Sequence, residues 1–120
     1  MVTEDDVRHA ALSLPGAYEK VSYGGSPSWR TKPRMFAWML DEEDALVVWV
    51  ESGEEKEALL ASDPDTFFTT NHYEGHPVVL VRMAAIDVDE LVELIGESWR
   101  HRAPRSLTSS SIHNQGSGAS

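Results

Sequence analysis

Three cations stand within five residues in the stretch Trp29-Arg30-Thr31-Lys32-Pro33-Arg34-Met35-Phe36, set between aromatic residues in a chain whose formal net charge is −10. Lys32-Pro33 is a turn signal, so the stretch reads as a basic hairpin tip. Guanidinium and ammonium groups so placed suit phosphate oxygens, which fix position without reading sequence. Trp29, Phe36 and Trp38 are the candidate aromatic support behind them. The competing reading is a solvated hairpin end whose charges discourage edge-to-edge pairing.

A second basic group, Arg100, His101, Arg102 and Arg105, follows the last acid, Glu97. It could share a face with Arg30, Lys32 and Arg34, although a helix C-terminus attracts cations in any case. Together the six fixed charges suit weak, salt-sensitive nucleic-acid binding. No helix rich in Arg, Asn or Gln is evident for reading base edges.

His72-Tyr73-Glu74-Gly75-His76 places two imidazoles around a carboxylate. The zinc-protease pattern needs His-Glu-x-x-His on a helix, whereas here Glu74 is one place off and Asn71, Gly75 and Pro77 mark a loop. No metal is expected there. Asp41-Glu42-Glu43-Asp44 lacks the ligand alternation of a calcium loop. There is no serine elbow, no phosphate loop and no carboxylate pair beside a histidine, so the chain reads as non-enzymatic, with no cofactor. His72, His76, Glu74 and Tyr23 are the residues to which an unrecognised activity would fall. The absence of cysteine excludes thiol catalysis and disulfides.

With 120 residues, 41% hydrophobic and 25% charged, the chain suits one soluble domain. No apolar run approaches a membrane span, and nothing near Met1 suggests export, so the expected setting is the cytoplasm and the expected state a monomer or weak dimer. The acids are unevenly spread: ten lie from Asp41 to Asp65 against the single base Lys56.

The positioning elements follow from periodicity. Thr3 and Asp6 can cap a helix carrying Val7, Ala10, Ala11 and Leu14, stopped by Pro15-Gly16. Glu19–Tyr23, Ser28–Thr31, Met35–Leu40 and Ala45–Val50 read as a meander broken at Gly24-Gly25, Lys32-Pro33 and Asp41–Asp44. Strict alternation would set Phe36, Trp38 and Leu40 on one face and Met35, Ala37 and Met39 on the other. Phe36, Trp38 and Trp49 could then form an aromatic platform for base stacking, a flat ligand or a partner if no helix covers it, ordinary core being the plainer reading. Ser52 and Glu55 predict a second helix, 66–77 a turn-rich connection, and Val78–Met83 a fifth strand. Asp87 and Glu90 begin a last helix with Val88, Leu91, Val92, Ile95 and Trp99 on its apolar stripe. The Ser/Gly-rich segment 106–120 reads as a disordered tail to a 1–105 domain. The expected fold is α+β, an antiparallel sheet of about five strands with helices packed on it, in the order α-β-β-β-β-α-β-α.

Several stretches resemble the MmcQ/YjbR family of small bacterial proteins. These are Ala10–Pro15 followed by an acid, Ser26–Arg30 running into Met35-Phe36-Ala37, Leu59–Phe68, and Glu90-Leu91 leading to Trp99-Arg100 and Ala103-Pro104. The resemblance spans about residues 4–107 and implies a frataxin-like, or double-wing, fold. It implies a non-enzymatic binding domain with DNA as the expected partner of the wing, and brings no catalytic residues. The alternative is a protein- or small-molecule-binding module using the aromatic sheet face or the 71–77 loop cleft. The likeness to frataxin also points to iron at Glu4, Asp5 and Asp6, where helix capping is a sufficient explanation.

Overall fold

The computed structural model describes residues 2–21, 25–32 and 34–107. Each helix begins where the sequence offers a cap. α1, Glu4–Leu12, starts with a reciprocal box in which Thr3 Oγ1 accepts the Asp6 N–H and the Asp6 carboxylate accepts the Thr3 N–H. α2, Gly53–Ser62, is capped by Ser52, but the Glu55 carboxylate turns to the N–H of Glu51, outside the expected box. α3, Val88–Arg102, opens at Asp87, whose carboxylate accepts the Glu90 N–H at 2.8 Å.

Six strands form one antiparallel sheet: β1 Tyr18–Val21, β2 Pro27–Arg30, β3 Met35–Leu40, β4 Ala45–Trp49, β5 Phe67–Phe68 and β6 Val78–Arg82, in the order β1-β2-β3-β4-β6-β5. β5 is the strand beyond the expected five. Two residues are too short to show alternation, and the strand exists only by pairing with β6 at the sheet edge. Tyr23, Gly24 and Pro33, expected in a strand and two turns, lie outside the described residues.

α1 and α3 pack on one sheet face around Trp29, Phe36, Leu46, Val48, Val79 and Val81, and α2 adds Leu59 and Leu60 at the rim. Of the expected α3 stripe, Leu91, Ile95 and Trp99 are buried while Val88 and Val92 are exposed. Ser98 takes part in their place.

Strict alternation fails at Phe36. Trp29 pairs with Ala37 but Arg30 with Met35, so Phe36 is the extra residue of a β-bulge. The bulge rotates its ring into the helix-side core, where it is fully buried, leaving Trp38 and Leu40 on the opposite face. Beside it, the β3–β4 ladder ends at Ala37 and Val48. The buried Ser98 hydroxyl bridges the next backbone pair, donating to the Phe36 carbonyl and accepting the Trp49 N–H at 2.8 Å.

The opposite face is built differently. One row across the sheet runs Lys20, Ser28, Trp38, Val47, Leu80, Phe68. Ala45, Val47, Val78 and Leu80 are buried beneath Trp38, Leu40, Trp49, Phe68 and Tyr73, with no α-helical side chain in this apolar cluster.

The chain ends of the core meet at Pro15-Gly16. Trp99 Nε1 donates to the Pro15 carbonyl at 3.0 Å. Gly16 has φ +73°, where any side chain is strained, and a Cβ there would fall 2.5 Å from Leu107 Cδ1 and displace the end of that side chain. Leu107 packs against the main core and its N–H donates to Pro104 O. The packed domain therefore continues past the expected boundary at 105, and the remainder of the expected tail, 108–120, lies outside the described residues.

Candidate nucleic-acid interface

The wing is the β2–β3 hairpin, closed by the Thr31 N–H donating to Arg34 O at 2.9 Å. Its root is rigid because Trp29 and Phe36 are both fully buried. Trp29 Nε1 donates to Glu19 at 3.1 Å, and Glu19 also accepts from Arg8, at 2.6 Å to Oε1 and 3.1 Å to Oε2. Arg8 in turn pairs with Glu4 and Asp5, while Asp6 serves the cap, so the acids for which the frataxin likeness implies iron have partners inside the fold.

Arg8 hydrogen bonds hold the Glu19 carboxyl below its ordinary range, helped by Trp29 and by the Arg8 charge, with burial opposing. A depressed acid contributes stability that is present above the unfolded value, about 4, and is lost as pH falls through the folded value. Urea midpoints across pH should therefore show wild type above Glu19→Gln at neutral pH, the gap closing in acid.

At the wing, Lys32 and Arg34 are exposed and Arg30 is half-buried with Nε donating to Ser28 Oγ. Arg102 joins them from the end of α3, laying its guanidinium over the Trp49 ring at 3.9 Å. Burial first, and then the charge of Arg34, push Arg102 below its ordinary value. Neither Arg102 Nε nor Trp49 Nε1 has a hydrogen-bond partner, and no described carboxylate pairs with Arg30, Lys32, Arg34 or Arg102. Of the second basic segment, Arg102 is thus the residue near enough to Arg34 for the two charges to oppose each other. Arg100 does not take part, because it pairs with Glu97 at 2.6 Å and borders a cleft lined by Glu55, Glu90 and Glu93. Arg105 is exposed beyond Pro104.

Trp38 donates Nε1 to Tyr73 Oη at 3.2 Å, and His72 stands edge-on to Tyr73, so the 71–77 loop is folded toward the aromatic face. The loop is pinned from below by Lys56. Composition alone gave no signal for this residue: it is buried, and Nζ donates to the carbonyls of Tyr73 and His76 at 2.8 and 3.0 Å. Glu74 and His76 border a cleft of about 420 Å³ beside the start of α2, while His72 lies away from it on Tyr73. No group of three potential ligands among the described residues is placed to hold a metal.

A single antiparallel sheet backed by helices on one side, with a basic turn joining β2 and β3, defines the α+β domain. The chain belongs to the YjbR family, whose model matches residues 12–101. It is 35% identical to uncharacterised proteins of Mycobacterium bovis and of two strains of Mycobacterium tuberculosis, over 97% of this chain and all of theirs. A crystal structure of a Deinococcus radiodurans protein containing a DUF419 domain shares the fold, with TM-score 0.72 and 24% identity over 82% of this chain and 77% of that one. Among the described residues, no helix is long and apolar enough to cross a membrane.

Proposed function

We propose that this protein is a non-enzymatic binding domain that holds DNA weakly through phosphate contacts from Lys32 and Arg34 on the wing and Arg102 beside it, with Arg30 at the wing's base. The observation that supports this reading is the exposure of Lys32 and Arg34 on the β2–β3 turn with no described carboxylate paired to them, beside Arg102, whose charge and that of Arg34 oppose each other. The net charge of −10 acts against it. Much of that charge, however, lies on α1, α2 and α3, and screening over about 10 Å at 0.1 M salt limits its reach to the wing.

The test is fluorescence anisotropy with labelled DNA over a range of salt. Lys32→Gln, Arg34→Gln and Arg102→Gln combined should weaken binding and make the log–log salt slope shallower by about 0.9 for each duplex phosphate that is no longer neutralised. Arg100→Gln, across the helix and paired with Glu97, should change neither. Absence of salt-dependent binding by wild type even at low salt would sink the proposal.

A further inference from the structure

The helix-side face of the sheet and the face opposite it differ in charge as well as in cover. Pairing register places Tyr18 and Arg30 opposite one another beside the row that begins at Lys20 and includes Trp38. Arg82 belongs to the same face at its far end, opposite Ala45, and stacks on Phe68 at 4.1 Å. The strand positions of this face thus hold three cations, Lys20, Arg30 and Arg82, and no carboxylate, in a chain with 20 acids. The acid on the neighbouring β1 position, Glu19, points to the helix side and is held by Arg8.

The aromatic groups sit between these cations. Tyr18 is 39% exposed, Trp49 is half-buried with the Arg102 guanidinium over its ring, and Trp38 is half-buried with Tyr73 beside it at 6.1 Å, so the rest of its ring is what a ligand can meet. Flat, partly exposed rings interleaved with cations are complementary to a ligand that alternates π faces with negative charge. A duplex hides its base faces. A single strand exposes them, and its bases stack on tryptophan, tyrosine and arginine planes without sequence preference.

Resting on the wing reading above, we infer that the sheet face opposite the helices, beside the 71–77 loop, binds single-stranded nucleic acid. The bases stack on Tyr18, on Trp38 and on the Arg102–Trp49 pair, while the backbone follows Arg30, Lys32 and Arg34. This assigns the aromatic face and the wing to one ligand.

The experiment compares four labelled probes of equal length at low salt: oligothymidylate, oligouridylate, an abasic strand with the same phosphate charge, and a duplex. Expected is tighter binding of oligothymidylate than of the abasic strand, by about fivefold or more if one base stacks. Tyr18→Ala and Trp38→Leu, each checked for native far-UV circular dichroism, should abolish that difference and leave the abasic strand unaffected. Tryptophan quenching gives an independent readout, since Trp29 and Trp99 are buried and only Trp38 and Trp49 can meet a base. Comparison of the thymidylate and uridylate probes separates DNA from RNA within the same chemistry. Equal affinity for abasic and base-bearing strands, or preference for duplex, overturns the stacking inference and leaves the phosphate reading standing. If none of the four probes binds, both fall.

Discussion

Trp29→Ala should cost about 3–5 kcal/mol, enough to leave a typical domain of this size with little residual stability. The ring is fully buried between the wing root and the helices, so removal leaves a cavity against Phe36, Ala37 and the α1 side chains. It also releases the Nε1 hydrogen bond to Glu19. Trp29→Phe separates the two contributions, for it keeps most of the apolar packing and removes only the donor, with an expected cost nearer 1 kcal/mol plus the smaller volume. Urea unfolding followed by far-UV circular dichroism measures both. A cost below about 1 kcal/mol for alanine would mean that the site collapses and that the wing is not anchored through this ring.

Ser98→Ala should cost about 2–4 kcal/mol, a large effect for the removal of one oxygen. The hydroxyl is buried and serves two backbone groups, the Phe36 carbonyl and the Trp49 N–H, just beyond the last β3–β4 pair. Alanine leaves both without their partner in a place closed to water, at about 1–3 kcal/mol for each unsatisfied group, unless the strands close on one another. Closure would recover part of the stability by extending the ladder. It would also press on the bulge at Phe36 and move Trp49 relative to Arg102. Unfolding midpoints give the cost, and amide exchange at Trp49 distinguishes the outcomes. A fast-exchanging amide with a large drop in stability supports the bridge, whereas a protected amide with no drop shows that the ladder closes unaided.

Helix starts were legible because capping is local: Thr3, Ser52 and Asp87 each precede their helix in the structure. The meander was legible because β-branched and aromatic runs are separated by turn residues. Phe36 was misplaced because a bulge is a property of pairing, and nothing within Met35–Leu40 reveals that Arg30 skips a partner. β5 escaped for the same reason, being a two-residue strand formed by its neighbour. The basic tip was visible as a cluster, and the same spacing argument grouped Arg100 with Arg102. On a helix, residues two apart face nearly opposite ways, so one reaches Trp49 and the other Glu97. Lys56 gave no signal because its acceptors are loop carbonyls, whose position depends on the tertiary fold.

The hydrogen bond between Trp99 and Pro15 has a consequence for how the polypeptide is made. It joins residues 84 apart, and among the described residues α1 packs chiefly on α3. The meander can pair as soon as it leaves the ribosome, since its hairpins are local, but its inner face stays wet until α3 has been synthesised. Through most of translation the nascent chain therefore presents Trp29, Phe36 and Val48 to solvent. Docking of α3 is the step that covers this surface.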